Sequence, residues 1–446
     1  MSVNGAARGC LAGVLAMAAM ACAAAAGADP TSDEANRQNM MADMRASAAA
    51  NDQANANSLQ RNQADYDRNH GGSSSPTGSG SSAGSSNGYN APSSANGAGS
   101  TGPQSVVATY TFTIRRQETA AALASRLEQE ARDGNAVSAF NLARVLYTGF
   151  DGLPRDDAKA RRWFGEAARL GHPGGQSQLG YMLHDGIGGP ADTAAALVWL
   201  KKAAEQGDTY GEALYGYYEV KTHFSDAGAN LSEPIAYLVR AADKGQMLAQ
   251  ATLGTLVFEL GVGTPVDWTK AAHYSRLAAD QGYPLAQTEL GRMYFTGRGV
   301  AKDEATGINW LRKAAAQHDA KAMALLGQLA FSGMGMPKDE VAGAHWFQQA
   351  ADAGDAGSAA NFGVLLLNGQ GVPKDVDAAL RYTRLAAAAG NDQGQLHLAK
   401  DYMFGHGVPI DMRQAYVWFR KAADQGNDEA IAALKDPAVA AAAGAH

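Results

Sequence analysis

Seven aspartates in this chain each stand seven residues ahead of an aromatic: Asp156, Asp192, Asp267, Asp303, Asp339, Asp375 and Asp411. A carboxylate can serve as an acid, a base or a metal ligand, but that chemistry requires groups that converge. One acid per repeat at even spacing gives a ladder with no convergent pair. An isolated carboxylate there can instead accept the unpaired amides of a helix start, worth about 1 kcal/mol per cap. Asn230 occupies the same register in the third repeat and is read as a cap too. The Gly-x-Gly pairs, among them Gly186-Gly188, Gly297-Gly299 and Gly369-Gly371, resemble phosphate loops only superficially. A phosphate loop follows a strand, whereas these follow helical patterns and supply the left-handed conformations that end one helix and turn into the next. No two of the ten histidines form an i,i+4 pair, none is framed with glutamate as a zinc site, and no nucleophile elbow stands out. The sequence therefore offers no catalytic residue, metal ligand or cofactor site.

What these residues punctuate is a cycle of about 36 residues. Ala-Ala pairs close it eight times, at 167, 203, 241, 278, 314, 350, 386 and 422. Four residues before each pair sits Trp163, Trp199, Tyr237, Tyr274, Trp310, Trp346, Tyr382 or Trp418. Such self-similarity marks a stack of small units, each borrowing an interior from its neighbours. In residues 284–319 a first helix leads to Gly297-Arg298-Gly299-Val300, and Asp303 opens a second helix carrying Trp310 and Ala314-Ala315. Glycines such as Gly180, Gly291 and Gly327 fall in the middle of the first helix, at a cost of roughly 1 kcal/mol each relative to Ala. Their recurrence predicts close approach of two backbones, with the Ala-Ala pairs as the shallow ground opposite and the aromatics as core.

The front of the chain is different. Residues 1–28 read as a secretory signal: Arg8, then an apolar run, then Ala26-Gly27-Ala28 as the cleavage site. Cleavage there leaves no transmembrane span and removes both cysteines, Cys10 and Cys22. An alternative maturation stays open, because Ala19-Met20-Ala21-Cys22 loosely resembles a lipobox, which would leave a lipid anchor on Cys22. Formal net charge is −7, and loss of Arg8, the one charged residue before Asp29, makes it −8. Mild acidity without a basic patch argues against a nucleic-acid partner. Residues 29–104, rich in Ser, Gly and Asn, have too little to bury and read as a disordered linker. Alternation over 105–116 suggests a short strand or extended segment, 117–135 a capping helix, 136–427 the repeats, and 428–446 a C-terminal cap and Ala-rich tail.

With these residues in hand, the chain resembles the Sel-one-like repeat (SLR) family, relatives of the tetratricopeptide repeats. Leu290-Gly291, Tyr294, Gly297-Arg298-Gly299-Val300, Asp303, Trp310 and Ala314-Ala315 match its pattern in place. The third repeat lacks the Gly-x-Gly break, and His318 replaces the closing glycine of the fifth. The resemblance implies an all-α, right-handed α/α superhelical solenoid of about eight repeats with a concave groove, acting as an adaptor in signalling, envelope or secretion processes. Some exported relatives are cysteine-rich and linked to β-lactam binding. The absence of cysteine after cleavage puts that device in doubt here.

On each first helix, an i,i+3 pair flanking the large apolar residue faces away from the core stripe. Its members differ between repeats while the scaffold does not. Asn141, Arg144, Tyr181, Tyr217, Glu289, Arg292, Gln328, Asn361, His397 and Lys400 are the candidate partner-binding residues. A solvated helix face is the competing reading. Two functions stay open: a periplasmic or secreted scaffold for protein or peptide, and a cell-wall-directed binder or hydrolase.

Overall fold

The computed structural model of the chain describes residues 119–150, 152–224, 226 and 228–442. The expected signal segment, linker and strand at 105–116 lie outside the described residues.

Nineteen helices follow one another without a strand among the described residues. They are α1 (Ala120–Arg132), α2 (Ala136–Thr148), α3 (Asp157–Arg169), α4 (Pro173–His184), α5 (Thr193–Glu205), α6 (Thr209–Thr222) and α7 (Ser232–Asp243). Next come α8 (Met247–Thr252), continued by a π-helical segment at Leu253–Glu259, then α9 (Trp268–Asp280), α10 (Pro284–Thr296), α11 (Glu304–Ala315) and α12 (Ala320–Ser332). The chain continues through α13 (Glu340–Asp352), α14 (Ala356–Asn368), α15 (Val376–Ala388), α16 (Asp392–Phe404), α17 (Met412–Asp424), α18 (Asp428–Ala433) and α19 (Pro437–Ala441). From α2 to α17 the even-numbered helices open the eight repeats and the odd-numbered ones close them. The fold is an α/α solenoid.

All seven aspartates cap second helices through the third amide of the turn; Asp303, for example, accepts from Thr306 N at 3.0 Å. Asn230 differs. It accepts from Ser232 N, two residues on, and Leu231 occupies the cap position of α7 without a side-chain bond. A second ladder caps seven of the eight first helices, through Asn135, His172, Asp208, Gln246, Asp319, Asp355 and Asn391, and continues to Asn427 at α18; α10 is the exception, with Tyr283 at the cap position making no side-chain bond.

The glycines divide their labour. Gly297 closes α10 at φ 75°, while Gly299 (φ 70°) lies against the backbone carbonyl of Trp268, the first residue of the preceding repeat's second helix. A Cβ there has no room, which fixes how one repeat seats on the next. The mid-helix glycines meet the residue three before the Ala-Ala pair rather than the pair itself: Gly180 against Leu200, Gly291 against Leu311, Gly327 against Phe347. The pair packs instead on the next first helix, as Ala167 does on Gly175 and Ala203 on Gly211. The periodic aromatics are half-buried for the most part, wedged between repeats, and at four of the eight (Trp199, Tyr237, Trp310 and Trp418) a basic residue three positions on lies over the ring. Lys313 Nζ lies 3.8 Å from the Trp310 ring and Lys421 Nζ 3.8 Å from Trp418.

A polar lock also joins successive repeats. Gln250 donates to the carbonyl of Ala242 (3.0 Å), at the end of the preceding second helix, and accepts from Gln281 (2.7 Å). Gln176 with Gln206, Gln287 with Gln317 and Gln395 with Gln425 repeat the pairing. This satisfies a helix-end carbonyl that is otherwise an orphan. In the third repeat the same places hold an ion pair: fully buried Glu212 meets Lys244 Nζ at 3.0 Å and Arg240 Nη2 at 2.5 Å.

The capping helix α1 buries Leu123, Leu127 and Ala131 on α2. Successive first helices pack on one another (α4 on α6, α6 on α8, α14 on α16), whereas no two successive second helices from α3 to α17 approach comparably. The first helices therefore form the inner wall of the stack.

Candidate functional site

The inner wall carries every residue singled out by its register, but not as a row of free side chains. Asn141 is buried, 2% exposed, and the others are half-buried. Several of them hold the wall together. Arg292 bridges two carboxylates, Glu289 on its own helix (Nε to Oε2, 2.8 Å) and Glu259 on the preceding first helix. Burial pushes the Glu289 carboxyl up and the Arg292 guanidinium down, with Asp319 adding to the first and Arg298 to the second. Lys400 reaches Glu429 on α18 at 2.6 Å. Burial, helped by the neighbouring Lys400, lowers the His397 imidazole to about 4, so it is neutral at pH 7. The Arg144 guanidinium lies 5.5 Å from the Phe140 ring. Gln328 and Asn361 stand half-buried on α12 and α14.

Glu259 was missed by sequence reasoning, and its position has a physical cause. Gly254 and Gly261 are seven residues apart, where Gly291–Gly297 and Gly327–Gly333 are six apart. The fourth repeat carries one extra residue, taken up as the π-helical segment. That insertion turns Glu259 inward to Arg292. The spacing was there to be read.

Tyr181 and Tyr217 belong to a second group. Six of the sixteen tyrosines fall between positions 147 and 218, and four of them lie within the electrostatic reach of Asp185, the residue that closes α4. The Tyr218 hydroxyl donates to Asp185 Oδ1 at 3.5 Å, and His184, stacked on the Tyr218 ring at 3.6 Å, brings Nδ1 to 2.6 Å of the same oxygen. Burial first, then Asp185, raises the Tyr181 phenol to about 12. The same two causes raise Tyr218, while Tyr210 is raised by burial and then by the phenols of Tyr181 and Tyr147, with Asp185 adding to them. Tyr217 lies 5.3 Å from Tyr218 by ring centroids and extends the aromatic surface along α6.

The wall ends on an unusual substitution. Asp401, 5% exposed, takes the place held by Leu365 and Leu329 in the two preceding repeats. Burial raises its carboxyl to about 6 against the opposing pull of His406 and Arg384.

Buried charges tied into a helical stack and a varied inner wall define a repeat scaffold for interaction with other proteins, a class that is generally non-enzymatic. The Sel1 repeat family profile matches residues 136–172, 173–208, 248–283, 284–319, 320–355, 357–391 and 392–427. The chain belongs to the Sel1 repeat family. The unmatched stretch between the second and third matches is the irregular third repeat, α6 and α7, which still folds as a hairpin. Among solved structures, a Sel1 repeat protein from Oxalobacter formigenes is 31% identical, with a TM-score of 0.55 over 74% of this chain and 97% of that one. A protective antigen of uropathogenic Escherichia coli strains displaying an SLR fold is 30% identical, with a TM-score of 0.55 over 70% of this chain. The match spans 66% of that antigen's length. A comparison with curated proteins gave no match.

Proposed function

We propose that the protein is an exported scaffold that captures an extended segment of another polypeptide along its first helices, as an envelope or signalling adaptor. One observation carries this reading. Caps, turn glycines and Ala-Ala pairs recur along most of the stack, while the wall pairs change from Asn141/Arg144 in repeat one to tyrosine-bearing pairs in two and three (Tyr181, Tyr217), Thr252/Thr255 in four, Glu289/Arg292 in five, amide and apolar residues in six and seven, and His397/Lys400 in eight. A surface that varies on an invariant frame suits selection of one partner over others. The leader-like residues 1–28 support export to the periplasm or beyond. No helix among the described residues is long and apolar enough to cross a membrane.

Capture from an envelope extract by the purified chain tests the proposal. A discrete protein, retained by the wild type and lost on Tyr181→Ser/Tyr217→Ser, is the expected result. Retention on peptidoglycan with no protein partner would favour the cell-wall reading instead.

A further inference from the structure

Around Asp185 the wall is built for a particular kind of side chain. Asp185 keeps 37% of its side chain exposed and has no Lys or Arg within ion-pair distance among the described residues. The Tyr218 hydroxyl donates to it at 3.5 Å, and its charge is also felt by the phenols of Tyr147, Tyr181 and Tyr210, the four coming from three consecutive first helices. A carboxylate only accepts hydrogen bonds, and a hydroxyl that donates into it turns its remaining lone pairs outward. The patch is therefore rich in acceptors, negative, and walled by aromatic rings, whose faces favour a planar cation. Arg155 shows the preference on its rim: its guanidinium lies 4.9 Å from the Tyr147 ring centroid. It is itself committed elsewhere, to Asp157, through Nε at 2.6 Å and Nη2 at 3.0 Å. His184 Nδ1 and the Tyr218 hydroxyl both meet Oδ1 of Asp185, which leaves Oδ2 to accept from an incoming group.

We infer that the Asp185 patch receives an arginine side chain of the captured segment, so that the partner is a basic, arginine-bearing polypeptide. This rests on the inner wall being the capture surface. A guanidinium offers five donors in a plane and stacks on rings, whereas a lysine ammonium offers a point charge, so arginine is preferred. The net charge of −7 favours approach of a basic segment at a distance.

The test uses the full chain on an array of random dodecapeptides, each binder resynthesised with every arginine replaced by lysine or by neutral citrulline. Binders should contain arginine, and citrulline should weaken them by about tenfold or more, the worth of a hydrogen-bonded charge. Asp185→Asn should erase the preference for arginine over citrulline, and Asp185→Glu should restore part of it, with circular dichroism showing both variants folded. Binders indifferent to arginine, or an arginine preference that survives in Asp185→Asn, would overturn the arginine pocket. If those binders were still lost on Tyr217→Ser, the wall would stand as the capture surface. An array without any binder would overturn both.

Discussion

Repeats five to seven and repeats three and four share one hairpin plan but fill it differently. In the former, Gly-x-Gly turns and aspartate caps recur on a 36-residue register, the second turn glycine seats on the preceding second helix's backbone in repeats five and seven (Gly299, Gly371), and the lock between repeats is a Gln pair (Gln287–Gln317) or apolar side chains (Met323, Ala359). In the latter the turn after α6 has no Gly-x-Gly, the cap at Leu231 lacks a side-chain bond, and an extra residue becomes a π turn. Those same repeats bury Glu212 and Glu259. Among repeats three to seven, irregular backbone and buried charge arrive together. A neutral amide lock tolerates solvent or no solvent equally, whereas a buried carboxylate is stable only while its partners stay in place. The middle of the stack is thus the part whose packing depends on specific pairs.

The largest effect should come from removing both cations that face Glu212. Arg240→Ala/Lys244→Ala should cost about 3–5 kcal/mol in denaturant unfolding, because the carboxylate is then buried alone. Glu212→Gln/Lys244→Gln, which installs the amide lock of the other repeats, should return stability to within about 1 kcal/mol of the wild type. A double glutamine variant as unstable as the double alanine would show that the two locks are not equivalent.

Repeat eight tests the same rule from the regular side. Because burial lifts Asp401 to about 6, the folded chain holds that proton more tightly than the unfolded one. This contribution is whole below pH 4 and is lost as pH rises through 6. Asp401→Leu, the residue of repeats six and seven, should therefore stabilise by about 2 kcal/mol at pH 7.5 and by clearly less at pH 4. Equal gains at both pH values would remove Asp401 from the pH dependence.

The smallest effect concerns His318, the one non-glycine with positive φ (63°) among the described residues. His318→Gly should raise stability by about 1 kcal/mol, the left-handed penalty of an L-residue; no change in thermal midpoint would mean the neighbouring contacts already offset it.

The scaffold was legible because its signals are local and periodic: a carboxylate seven residues before an aromatic, a glycine at a fixed turn, leucines on one face of α1. The Gln locks escaped because their partners lie about thirty residues apart and neither residue looks buried by type, although Gln176–Gln206 and Gln395–Gln425 keep the same separation. The function of Ala167-Ala168 was misplaced by one helix, since period alone says which residues recur and not which neighbour they touch. At the wall, register placed Arg292 and Tyr181 on the right helices. It could not show that Arg292 is spent on Glu259, or that the Tyr218 hydroxyl meets Asp185, because those contacts cross between repeats.

The inner wall as the capture surface is tested most directly by comparing two double variants in array binding at matched thermal midpoints. One is Tyr181→Ser/Tyr217→Ser on the first helices. The other is Val341→Ser/Leu385→Ser on the second helices, at side chains 67% and 50% exposed. Loss of binding in the tyrosine variant with full binding in the other is the predicted result. Full binding in the tyrosine variant, with loss in the Val341 and Leu385 variant, would place capture on the outer helices and contradict it.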